Sequence, residues 1–192
     1  YRMLPETPPL EQARDVARAL AKAQALAGEW GGDTNRFILM GHSAGAHLVA
    51  LLTASPVLAQ QQGASPWLGT VALDSAAMDV VQVMQAQHLR LYDQAFGNDP
   101  AIWTAASPTR QLAVGAVPLL AVCSSRRDDS CVQAKGLKAR ADVLGVRIEV
   151  LPQDLSHKQI NEELGLPGAY TQAVDAFIAT LYRPVSPAGI TR

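Results

Sequence analysis

Apolar residues fall into two patterns along this chain: short unbroken runs, and longer stretches where they recur every third or fourth position. The runs are Arg36-Phe-Ile-Leu-Met40, Thr70-Val-Ala-Leu73, Val117-Pro-Leu-Leu-Ala-Val-Cys123 and Arg147-Ile-Glu-Val-Leu151. Their length and near-continuous hydrophobicity predict strands covered on both faces. The periodic stretches predict helices over residues 11–27, 44–54, 80–90, 133–144 and 169–182. Gly28, Gly31 and Gly32 end the first, Ser55-Pro56 the second, Gly145 the fourth and Pro184 the last.

Strands separated by helices require right-handed crossovers and a largely parallel sheet. The expected fold class is therefore α/β, a sheet sandwiched between helices in three layers, forming a single domain over residues 1–192. Residues 78–104, between the second and third strands, form a possible cap or pocket region within it. A four-stranded sheet leaves an exposed edge beside the first strand. The chain also begins at Tyr1, on a Pro-rich stretch over residues 1–9. Both features lead us to expect that early strands are missing from this chain and lie upstream.

Composition narrows the function classes. Hydrophobic residues make up 48%, charged residues 17%, and the net charge is −1. No basic stripe recommends nucleic acid as a partner. No apolar stretch approaches the roughly 18 residues of a membrane span. Four His and two Cys lack the close spacing of a metal site, so no metal and no cofactor is expected. A small molecule is the expected partner.

Gly41-His42-Ser43-Ala44-Gly45 matches G-x-S-x-G, and its placement carries more weight than the pentapeptide does. A strand runs into it and a helix leaves at once, so the turn projects Ser43 above the carboxyl ends of the strands. Gly on both sides is expected to let strand and helix pack closely. The Ala44 backbone N–H faces the same space and suits an oxyanion hole. Ser43 is thus the candidate nucleophile, which needs a base oriented by an acid.

In such folds the acid and then the base follow the serine, on loops after later strands. His157, after the fourth run, stands where the base belongs. His42 is expected to be pulled away by the turn, His47 to pack under the site and His88 to lie at a surface or pocket. For the acid, Asp128 and Asp129 compete on the loop after the third run. Asp129 is favoured because it precedes a small residue and a helix start. Asp154 shares its loop with His157, while Asp74, Asp79 and Asp99 read as caps or turn residues.

These residues resemble the carboxylesterase and lipase branch of the α/β-hydrolases that includes feruloyl-esterase-like and kynurenine-formamidase-like proteins. The likeness rests on Tyr1-Arg-Met-Leu-Pro5, Gly31-Gly-Asp-Thr-Asn-Arg36, GHSAGAHL over residues 41–48, Ala106-Ser-Pro108, Pro118-Leu-Leu, and Leu155-Ser-His157 with Ile160-Asn161. It implies Ser43, Asp129 and His157 as nucleophile, acid and base. It also implies a His-Gly-Gly motif in an upstream segment of the same protein, carrying the rest of the oxyanion hole.

The implied activity is hydrolysis of carboxylic esters of short or medium acyl chains or small aromatic acids, through an acyl-enzyme. An arylformamidase is the alternative, and a non-catalytic hydrolase-fold binding protein the alternative of another class. Met84, Tyr92 and Trp103, with Leu91 and Phe96, are candidates to line a substrate pocket; packing against the sheet is their other reading. Cys123 and Cys131 flank the acid loop, either bridged, which suits an oxidising compartment, or as two buried thiols. Export signals among related proteins point toward the periplasm or the exterior.

Overall fold

Hydrogen bonding among the four apolar runs makes one parallel sheet. In the computed structural model, which describes residues 1–182, the strands are β1 (Ile38–His42), β2 (Gly69–Leu73), β3 (Leu119–Ser124) and β4 (Ile148–Gln153), in that spatial order. Every pairing is parallel, so each connection crosses over. The helices among the described residues are α1 (Pro9–Leu26), α2 (Ala44–Ala54), α3 (Val57–Gln60), α4 (Val80–Gln85), α5 (Arg90–Phe96), α6 (Pro100–Ala105), α7 (Pro108–Gln111), α8 (Ser130–Leu144), α9 (His157–Glu162) and α10 (Ala169–Leu181).

Alternation along the strands sorts these helices into layers. Leu119, Ala121 and Cys123 of β3 join residues of α1, α2 and α8 in one core. Leu120 and Val122 point the other way, to Ile160 of α9 and to Tyr170, Val174 and Phe177 of α10. The sheet is thus covered on both faces, in the three layers expected for an α/β-hydrolase fold. A third, smaller cluster joins Ala77, Val80, Met84, Phe96 and Ala106 beside the sheet. The helix α2 is buried from Ala46 to Ala54, with Leu48, Leu51 and Leu52 sealed from water. Each such leucine stabilises the fold by roughly 1.5–3 kcal/mol through burial alone.

Three expectations need correction. The first strand begins at Ile38 rather than Arg36, and Met40 is 44% exposed because β1 stands at an edge of the sheet order. The helix expected over 80–90 is two helices. Ala86 turns extended after α4, and the His88 ring bonds the Ala86 carbonyl at 2.7 Å, so the chain restarts at α5. Asp79 and Asp99 do act as caps, accepting from Gln82 N at 3.2 Å and Ala101 N at 2.8 Å. The helix α10 ends at Leu181; Pro184, expected to stop it, lies outside the described residues.

The third correction concerns the glycines around Ser43. A Cβ on Gly41 would sit 2.4 Å from the Gly45 carbonyl oxygen, whereas a Cβ on Gly45 meets nothing within 4 Å. Only Gly41 is required by the close approach of strand and helix. Gly41→Ala should therefore destabilise by about 2 kcal/mol or more, because backbone has no alternative rotamer to yield. Gly45→Ala should stay within about 1 kcal/mol of the parent, since alanine favours helix. Urea unfolding of the two variants checks the contrast, and equal losses would contradict it.

Candidate active site

Between the end of β1 and the start of α2 there is only Ser43, held at φ 59° and ψ −118°. Such a conformation costs a non-glycine residue about 1–3 kcal/mol. Two backbone bonds hold it: Ser43 N donates to Leu73 O at 2.9 Å, and Ser43 O accepts from His47 N at 3.2 Å. The hydroxyl is thereby delivered to the carboxyl rim of the sheet, at the positive end of α2. Ala44 lines the same pocket, and as the first residue of α2 its N–H has no acceptor within the helix.

The imidazole of His157 reaches this hydroxyl from the far end of the chain. Ser156 caps α9 through a capping box with Gln159, which sets His157 as the first helical residue. Its Nε2 lies 3.0 Å from Ser43 Oγ, and its Nδ1 lies 2.5 Å from Asp74 Oδ2. An ionised carboxylate only accepts, so Nδ1 carries the proton and Nε2 is left to accept from the serine.

Asp74 stands directly after β2, at φ 57°, and is fully buried. Its Oδ1 accepts from Ser124 N at 2.7 Å and from the Ser130 hydroxyl. Its Oδ2 accepts from Arg127 Nη1 at 2.9 Å as well as from His157. Burial pushes this carboxyl up; the donors Ser130, Ser124, His157 and Arg127 together outweigh it and hold the group below the usual carboxylate range.

The expected acid, Asp129, does not meet the imidazole. Its carboxylate grips Arg127 instead, Oδ1 to Nε at 3.1 Å and Oδ2 to Nη2 at 3.2 Å. The physical reason is occupancy: Asp74, from the strand beside the serine's strand, already stands behind Nδ1, and Arg127 fills the gap next to it. Asp128 is exposed, and Asp154 pairs with Arg126 at 2.8 Å. The expectation that Asp74 is a simple turn residue fails with it. One signal for Asp74 was present in the sequence, since it follows an apolar strand directly, at the end where α/β sheets place their chemistry.

The other histidines divide. His42 is not pulled away; its Nε2 donates to the His157 carbonyl at 2.9 Å and the two rings lie 4.4 Å apart. His47 packs under the site, as expected, with Nε2 donating to Ala106 O at 2.7 Å. Burial pushes its ring below the ordinary range. His88 is tied to Asp93 at 2.9 Å. Cys123 and Cys131 are joined by a disulfide that spans the loop carrying Arg127.

A cavity of about 510 Å³ opens above Ser43. Tyr92 lines it together with Leu91, Phe96, Leu89 and Met3, and His157 and Arg127 stand at its polar end. Met84 and Trp103 lie outside the lining. Met84 is buried in the small cluster with Phe96, and Trp103 packs beside it with its Nε1 donating to Gly97 O at 3.0 Å. Both are packing residues here. Among the described residues, no group of three His, Cys, Asp or Glu is placed to hold a metal ion, and no helix is long and apolar enough to cross a membrane.

Likeness to known proteins agrees with this architecture. A family model described as alpha/beta hydrolase fold matches residues 1–154, and the chain belongs to that family. No curated protein sequence matches it. Among solved structures, it is similar to esterase B from Lactobacillus Rhamnosis, at 18% identity and TM-score 0.72, covering 94% of this chain and 63% of that one. It is similar also to the thermophilic esterase Est2 of Thermogutta terrifontis, at 16% identity and TM-score 0.72, covering 96% and 69%. A third is the acetyl ester-xyloside bifunctional hydrolase of Caldicellulosiruptor lactoaceticus, at 17% identity and TM-score 0.74, covering 94% and 69%. At these identities the likeness shows the fold, and the chain spans less than two thirds of the length of esterase B.

The buried ring of His47 generates a pH dependence of stability. Its folded proton affinity is depressed, so below its ordinary pKa of about 6.5 the unfolded chain takes up a proton that the folded chain refuses. This contribution is present above that value and is lost as the pH falls. The urea midpoint should therefore decline between pH about 7 and 5, and His47→Gln, though less stable at neutral pH, should show a flatter decline. Equal slopes in parent and variant would contradict the assignment.

Proposed function

We propose that this chain carries the nucleophile, base and acid of a serine carboxylesterase: Ser43, His157 and Asp74. The observation that carries the reading is the unbroken line from the Ser43 hydroxyl through Nε2 and Nδ1 of His157 to the buried Asp74 carboxylate, 3.0 and 2.5 Å, at the floor of an apolar pocket. His157 accepts the serine proton as Ser43 attacks the ester carbonyl, and Asp74 offsets the charge that the ring acquires. The Ala44 N–H stabilises the oxyanion. The alcohol leaves with the proton from His157, and water activated by the same ring then releases the acid.

The pocket lining of Tyr92, Leu91 and Phe96 suits short or medium acyl chains or small aromatic acids. Residues 78–104, which supply much of that lining, serve as the cap. In the same fold, Est2 has been seen with propionate and with butyrate bound, which supports the short-acyl end of the range. The disulfide fits an oxidising compartment.

Turnover of short p-nitrophenyl esters by the complete protein, compared with N-formylkynurenine, tests the substrate class; dominant formamide cleavage would overturn the choice. Ser43→Ala should abolish turnover and fluorophosphonate labelling. Asp74→Asn should lower kcat by about 10³–10⁴, the scale of losing an orienting acid, while Asp129→Asn should cost no more than about tenfold. The reverse ranking would return the acid's role to Asp129.

A further inference from the structure

The guanidinium of Arg127 has no part in the reaction just described, yet it is the nearest cation to it. Nη1 donates to Asp74 Oδ2 at 2.9 Å, the same oxygen that receives His157 Nδ1–H, and it stands 3.0 Å from Nδ1 itself. Nε and Nη2 are taken by the two oxygens of Asp129 at 3.1 and 3.2 Å, a fork-to-fork pairing that fixes the plane of the guanidinium. The disulfide between Cys123 and Cys131 closes the loop on which Arg127 rides. This is a held position, and it flanks the contact between the acid and the base.

Two consequences follow from the chemistry of the groups. When Nδ1 carries its proton, Nη1 and Nδ1 are both donors, so both turn to Asp74 Oδ2 and hold that oxygen beside the ring. When Nδ1 is bare, it accepts from Nη1 and Nε2–H faces Ser43, a tautomer that cannot activate the serine. The full charge on Asp74 favours the first arrangement. The second consequence concerns the transition state, in which the ring becomes positive 3.0 Å from a fixed cation. Arg127 thus opposes the charge that Asp74 supports, and Asp129 moderates that opposition by drawing on the guanidinium.

We propose that Arg127 is a positioning residue for the Asp74–His157 pair and sets the pH at which the base becomes available, with Asp129 acting on the ring through Arg127. The proposal rests on the reading of Ser43 and His157 as nucleophile and base. The charged and titratable groups facing the ring are Asp74 after β2, Arg127 after β3 and His42 at the end of β1. Of the charged neighbours in its own helix, Lys158 is paired with Glu162 at 3.3 Å.

The test is the rate at which a fluorophosphonate labels Ser43 in the complete protein, followed between pH about 5 and 9 beside kcat/KM for p-nitrophenyl acetate. Removing the cation with Arg127→Gln should move the acid limb about one unit to higher pH. The maximal rate should still fall at least about fivefold, because losing the bond that holds the Asp74 carboxylate outweighs relief from the opposing charge. Arg127→Lys, which keeps the charge, should leave the limb within about 0.3 unit of the parent. Asp129→Asn, at an exposed site where folding is not at risk, should move the limb the opposite way, to lower pH. Limbs that coincide in all four proteins would overturn the proposal, even if Arg127→Gln is slower, as would Asp129→Asn shifting in the same direction as Arg127→Gln. A folded parent that takes no label at Ser43 would overturn the nucleophile reading and this proposal with it; a labelled parent with coincident limbs would overturn this proposal alone.

Discussion

A carboxylate as deeply buried as that of Asp74 is tolerable only when its lone pairs find donors, and this chain supplies them from separate elements. The last residue of β3 brings the Ser124 N–H, the loop after it brings Arg127, the start of α8 brings the Ser130 hydroxyl, and the start of α9 brings His157. Remove the carboxylate and those donors face one another across an empty centre. The position of the imidazole beside Ser43 follows from this one buried charge.

The strand order explains why Asp74 is available. β2 lies beside β1, in register, with Gly41 opposite Ala72 and His42 opposite Leu73. The residue after each strand therefore emerges at the same level, Ser43 from one and Asp74 from the next, both at positive φ. Two neighbouring non-glycine residues at positive φ thus share one rim of the sheet, each at a conformational cost that the surrounding bonds must offset. The rigid body behind them is α2 and the sheet, whose leucines and alternating strand residues leave little room for either turn to relax.

Much of this was legible beforehand. The four apolar runs, the long helices and the placement of Ser43 and His157 all come from local pattern, which one sequence carries in full. What escaped has physical causes. Helices of one or two turns, such as α5 and α7, are too short to display a period. Met40 follows an apolar run onto an edge strand, and no run of letters says which strand is the edge. Asp74 directly follows one predicted strand and Asp129 lies on the loop after another; only the distance across the sheet separates a carboxylate that meets Nδ1 from one that meets a guanidinium. His42 illustrates the same point, since its bond to the His157 carbonyl joins positions far apart in the chain.

Among the described residues, Asp74 and no other carboxylate holds the Nδ1 proton of His157. Proton NMR of the complete protein reads that proton directly, because an imidazole N–H shared with a buried carboxylate resonates far downfield and exchanges slowly. We predict one such signal, assigned to His157 by labelling, that disappears in Asp74→Asn and persists in Asp129→Asn. A signal that survives the loss of the Asp74 charge and vanishes with that of Asp129 would contradict the account.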